Sequence, residues 1–233
     1  MRLGSRSSSR RRRSQALAAC VGVTLLGACG DIHPGAAADV AGYRISMGQA
    51  DAYTHAFCKA LPLIAVANGQ ANTVTAAQGA RAYVVGALVQ NRLTELAAQQ
   101  VGVSLPAPAD YAVDPKQYEV VTNDLSSTDA ADFLALVTKS KETSLLLTEI
   151  GQTMPKGTNP TDAQRIGRSY VANFAGSVDI SIDPRIGLSS DLGSVDRSGS
   201  LSVAVSDSAV IPTADPARSK AVAALPAEQT CGA

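Results

Sequence analysis

Three sets of residues have the types and spacing to do chemistry. Asp51, His55 and Cys58 sit four and three residues apart. On a helix that spacing could hold a metal or arm a thiol nucleophile. A catalytic cysteine also needs a base and an orienting group held in a pocket. Here Asp51, His55 and Lys59 form a polar stripe at four-residue spacing, whereas Cys58 falls on the apolar arc, so the stripe reads as a solvated face. Asp179 and Asp183 alternate with Val178, Ile180 and Ile182. Carboxylates on one strand face could exchange protons or bind calcium, but the alternation alone puts them on a solvent-facing side. Cys29 stands directly after an apolar run, 16–28, that ends in Leu26, Gly27 and Ala28. The Gly-rich stretch 187–199 lacks the strand–GxxxxGK–helix pattern of a phosphate loop, so no nucleotide site is expected.

Six arginines (Arg2, Arg6 and Arg10 to Arg13) precede the apolar run. A basic start, a short apolar stretch and small residues at the cut describe a secretory signal peptide over 1–28. The run is too short to span a bilayer. Ser9 with the arginine run also allows a twin-arginine signal, though the usual Phe-Leu is absent. Leu26-Gly27-Ala28-Cys29 resembles the lipobox of bacterial lipoproteins. That resemblance implies a thioether-linked diacylglycerol on Cys29, which becomes the first mature residue and anchors the protein to the lipid bilayer.

Removal of 1–28 takes six of the 20 Lys+Arg and none of the 20 Asp+Glu, so net charge moves from 0 to −6. This balance argues against nucleic acid and against charge-driven binding to an anionic membrane. With no tryptophan and 4% aromatics, a sugar-stacking platform is disfavoured. Cys20 leaves with the signal, so Cys58 and Cys231 remain in an oxidising compartment. They form either a long-range disulfide or two free thiols, with Cys58 packed as a small hydrophobe. No metal or cofactor is expected, and no enzyme chemistry.

Residues 29–38, small and polar with His33 and Pro34, read as a tether. A short strand or hairpin follows around Tyr43 and Ile45. Ser46 with Gln49 forms a capping box for a helix over 47–61, which Pro62 should end or kink. Its apolar face is Met47, Ala50, Phe57, Cys58 and Leu61, with the Thr54 hydroxyl bonding back to Ala50. Thr73 or Thr75 caps a second helix to about Gln100, apolar on several faces (Tyr83, Val84, Val85, Leu88, Val89, Leu93), hence the centre of the domain. Gly79 and Gly86 would admit a close neighbour. Further helices are expected after Asp114-Pro115, over 129–150 after a cap at 126–128, and over 160–174. A strand at 178–182 stops at Pro184, and a weaker one is expected at 201–205.

Two stretches, Val40-Ala41-Gly42-Tyr43-Arg44-Ile45-Ser46-Met47-Gly48-Gln49-Ala50-Asp51 and Val178-Asp179-Ile180-Ser181-Ile182-Asp183-Pro184-Arg185-Ile186-Gly187, resemble the extracytoplasmic SurA/PrsA family, in particular the SurA N-terminal-like lipoproteins of Gram-positive bacteria. The resemblance implies a chaperone domain in which an N-terminal strand and helices combine with a C-terminal segment. Members with prolyl isomerase activity insert a parvulin domain. Residues 101–159 carry no histidine and no run of alternating strands, so that activity is not expected. The expected protein is mainly α, with short strands from its N- and C-terminal segments. Its parts are a signal peptide (1–28), a tether (29–38), a helical chaperone-like domain (39–206) and a disordered tail (207–233). It would sit on the extracytoplasmic face of the cell membrane and bind unfolded secreted or envelope polypeptides. The alternative is an accessory lipoprotein with one specific partner. A transporter-type binding lipoprotein would need two α/β lobes, which the helical order disfavours.

Overall fold

The computed structural model describes residues 35–71, 74–155, 159–188 and 217–231. Cys29 and the signal and tether residues before Gly35, and the strand expected at 201–205, lie outside them.

The fold is mainly α-helical with a few short antiparallel strands. Strand β1 (Ala36–Val40) turns through Ala41 and Gly42 into β2 (Tyr43–Ser46). Both turn residues have positive φ (51° and 81°), as a two-residue hairpin requires. The Asp39 carboxylate accepts from the Gly42 N–H at 2.8 Å and holds the turn. Strand β4 (Ile180–Ile182) lies on the other side of β1, giving the order β2-β1-β4. Val40 pairs with Tyr43 on one side and Ile180 on the other. The tether reading of 29–38 therefore fails at 36–38. Those alanines form three of the five residues of the central strand and are buried. Small side chains that look like linker from composition are here what lets the strand lie beneath a helix.

Helix α1 (Met47–Ala67) starts as expected, with the Ser46 Oγ accepting from the Gln49 N–H. The Thr54 hydroxyl donates to the Ala50 carbonyl at 2.6 Å. Pro62 does not end the helix. It removes one donor, and the remaining bonds carry α1 on to Ala67. Helix α2 (Ala77–Gln100) begins without a side-chain cap, because Thr75 and Ala76 are used as strand β3. Val84, Val85, Leu88, Val89 and Leu93 are buried on several of its faces, which makes it the central helix. Tyr83 is the exception, at 59% exposed.

A 3-10 turn at Pro115–Tyr118, capped by Asp114, leads into the single-turn helix α3 (Glu119–Thr122). Helix α4 (Ser127–Gln152) is capped by Ser126, and α5 (Pro160–Ala175) by Asn159, whose side chain accepts from the Asp162 N–H. Close backbone approach occurs not at Gly79 or Gly86 but between α4 and α5. A Cβ on Gly151 would collide with the Ala163 carbonyl, and one on Gly167 with the Leu147 carbonyl. Open space surrounds Gly79.

The disordered tail expected over 207–233 is corrected over its described part, 217–231. Helix α6 (Ala217–Ala223), a 3-10 turn (Ala227–Gln229) and strand β5 (Thr230–Cys231) are ordered, and β5 pairs with β3. The missing signal was tertiary: this segment has almost no periodicity of its own and is held by what it touches.

Candidate functional site

The structure separates the residues whose spacing suggested chemistry. Asp51 forms an ion pair with Arg81 of α2. His55 Nε2 lies 3.6 Å from Asp129 Oδ1, and Lys59 Nζ lies 2.8 Å from Asp129 Oδ2. Cys58 is bonded to Cys231, with Cα atoms 4.7 Å apart. The polar stripe of α1 is thus spent on neighbouring helices, and its thiol is not free. Asp129 is buried at the start of α4 and also accepts from the Ser126 hydroxyl at 2.7 Å. Hydrogen bonds from Lys59 and Ser126 outweigh its burial and hold its carboxyl below the ordinary range. Among the described residues no cluster of His, Cys, Asp and Glu could hold a metal.

Asp179 and Asp183 do not share a solvent face. Asp179 is exposed, but Asp183 is buried and bound to Arg185 through two oxygens, at 2.6 and 3.0 Å. Alternation breaks there because Asp183 has left the strand. It caps the 3-10 turn Pro184–Ile186 by accepting from the Arg185 N–H. The Arg185 guanidinium, against the cost of burial, keeps the Asp183 carboxyl below its ordinary value, with help from Arg81. Asp51, Arg81, Asp183 and Arg185 therefore alternate in sign across α1, α2 and the end of β4. Residues 40–51 and 178–187 meet here and in the β-sheet.

A polar seam between α2 and α4 carries no motif of its own in the sequence. Asn91 Nδ2 donates to Glu142 Oε2 at 3.2 Å and Thr143 Oγ1 at 3.0 Å. Lys139 Nζ lies 3.2 Å from Glu142 and 3.7 Å from Glu95. Burial pulls the Lys139 ammonium down, but Glu142 and Glu95 outweigh it and hold it above its ordinary value. Arg92 pairs with Glu95 at 2.7 Å and stands over the Tyr43 ring, 5.0 Å from its centroid. The one available clue was Asn91 inside an otherwise apolar helix, with Glu142 a turn from Lys139. Beside the seam is an open cleft of about 330 Å³, where Gln164 donates to the Ser144 hydroxyl at 2.6 Å and Arg168 is exposed.

A partly open apolar surface lies at the end of α1. Beyond Ala60, α1 reads Leu61-Pro62-Leu63-Ile64-Ala65-Val66, and none of these residues is fully buried. Leu63 and Ile64 flank a second, smaller core made of Ala56, Ala60, Val121 and Phe133. Tyr118 closes one side of it, edge-on to Phe133 at 6.0 Å. Val66 and Val120 stand at 71% and 69% exposed. Further along, Phe57 and the exposed Tyr83 stack at 5.0 Å. Among the described residues no helix is long and apolar enough to cross a membrane.

No family model, curated protein or solved structure matches this chain.

Proposed function

We propose that this protein is a lipid-anchored, extracytoplasmic chaperone-like protein that binds unfolded secreted or envelope polypeptides without catalysing chemistry on them. The half-open apolar run at the end of α1 carries the reading. Leu63 and Ile64 pack against the small cluster, Leu61 is partly exposed, and Val66 next to them stands open to solvent. A shallow face of that kind accepts extended apolar segments by area rather than by shape. Affinity is modest, because a disordered client loses conformational freedom on binding. Cys29 would be the acylated residue that holds the domain at the cell membrane. The charge balance keeps nucleic acid out of the reading.

Light scattering of several unrelated unfolding proteins tests it, with a proline-limited refolding assay on the same sample. The expected result is suppressed aggregation across clients with no faster proline step. The pair Val66→Lys and Val120→Gln, both at exposed sites, should weaken suppression while leaving far-UV circular dichroism unchanged. Acceleration of the proline step would overturn the non-enzymatic reading. Silence in both assays, with binding to a single envelope partner, would favour an accessory lipoprotein instead.

A further inference from the structure

The C-terminal segment 217–231 folds back as a strap, its 3-10 turn and β5 lying against α2 and β5 also against the middle of α1 at Cys58. Its own means of staying there are slight. The β3–β5 ladder consists of two residue pairs, Thr75 with Cys231 and Ala76 with Thr230. A ladder that short is marginal without further packing. Helix α6 has seven residues, well under the roughly 12–15 at which an isolated helix begins to persist. Of the strap's described side chains only Val222 and Cys231 are buried. The two charged strap residues with described side chains, Lys220 and Glu228, form no ion pair among the described residues. What does join it is the Cys58–Cys231 bond, which closes a sequence separation of 173 residues.

We propose that this cystine is a redox latch: a dithiol opens it, and the strap then leaves the α1/α2 surface while the helical core stays folded. The cystine turns docking of the strap into a local event at high effective concentration. Without it, the ladder and one short helix must offset the ordering of the whole segment unaided. Cys58 is partly exposed, whereas Cys231 is buried. A thiolate therefore enters at the Cys58 sulfur. It forms a mixed disulfide with Cys58, the Cys58–Cys231 bond breaks, and Cys231 departs as thiolate with the strap. The second thiol of the donor then attacks the mixed disulfide and releases Cys58 as thiolate, which takes up a proton. The donor leaves as a disulfide, oxidised by two electrons. An oxidised donor runs the same steps backward and closes the latch. Opening uncovers Ala76, which is buried and paired with Thr230 of β5, about two turns before Tyr83. The Phe57–Tyr83 stack, already open, is thereby extended along α2. The redox state of one bond sets how much apolar surface this end of the molecule presents.

Hydrogen exchange on the purified protein, with and without dithiothreitol, tests the latch. Peptides covering 217–231 should exchange roughly tenfold or more faster after reduction. Peptides covering the middle of α2 should not change. Cys231→Ser, which cannot form the bond, should show the same fast strap without reductant. A strap still protected after reduction would overturn the proposal. So would faster exchange through the whole fold, since the bond would then be a staple for the core rather than a latch. Brief treatment with glutathione followed by acid quench and mass mapping tests the direction of attack. An adduct on Cys58 is expected, and one on Cys231 would overturn the stated order.

Discussion

Helices α1 and α4 each pass through two apolar clusters, and the two are unlike. Around α2 the packing is deep. Val84, Val85, Val89, Leu146, Ile150 and Val171 are all enclosed, the sheet closes one side, and α4 and α5 touch backbone to backbone. Around the end of α1 only Ala56, Ala60, Val121 and Phe133 are buried, and α3 is a single turn. The sequence around the second cluster is no less apolar. It differs in how many layers stand against it, so hydrophobicity alone separates neither stability from binding nor core from surface.

The comparison can be broken most severely at the α4–α5 crossing. Gly151→Ala or Gly167→Ala should cost about 3 kcal/mol or more, since a Cβ there meets backbone carbonyls that cannot swing aside. Thermal unfolding should show a midpoint lower by about 10 °C. Gly79→Ala is the counterpart in open helical space and should instead raise stability by about 0.5–1 kcal/mol. Equal losses at all three glycines would refute the crossing.

A second effect compares the cores directly. Leu146→Ala, in the deep cluster, should cost about 3–4 kcal/mol in urea unfolding. Val121→Ala, in the shallow one, should cost about 1–2 kcal/mol, because neighbouring side chains and water can close over the gap. A Val121 variant as damaged as the Leu146 variant would mean the shallow cluster is a core after all.

The seam gives an intermediate effect. Asn91→Leu removes the amide that donates to Glu142, a carboxylate itself buried. About 2 kcal/mol should be lost, mostly as the cost of an under-bonded buried charge. Thr143→Val, which leaves the amide on Glu142, should cost about half as much.

The smallest effect is in acid. Asp129 and Asp183 both have folded-state values held below the ordinary 3.8. A depressed carboxylate stabilises the fold above its unfolded value and loses that contribution as pH falls through it toward the folded one. Urea midpoints should therefore drop below about pH 4. Asp129→Asn should flatten part of that slope. An unchanged slope would mean that the Lys59 and Ser126 contacts do not persist in solution.

Much of this was legible wherever the determining interaction is local. Ser46, Ser126 and Asn159 cap their helices within three residues, and Thr54 finds its carbonyl one turn back. The all-round apolarity of α2 announced its central place, and the short strand at Ile180–Ile182 showed in its alternation. What stayed hidden depends on partners distant in the chain. Ala36–Val40 is a strand because β2 and β4 flank it, not because alanine prefers strands. Gly151 and Gly167 matter through a helix that the sequence places but does not aim. Asp183 looked like a solvent-facing strand residue until the turn at Pro184 brought Arg185 over it.

The placement of β1 in the middle of its sheet has a consequence for synthesis. A chain leaving the ribosome N-terminus first can form the β1–β2 hairpin early. It cannot complete the sheet until Ile180–Ile182 has emerged, well over a hundred residues later. Until then one edge of β1 remains unpaired and the Asp183–Arg185 closure does not exist. Long-range closure of this kind is slow and leaves the nascent chain exposed to wrong pairings. A protein truncated before residue 180 should therefore keep helices and the hairpin yet lose the third strand and the Asp183–Arg185 closure.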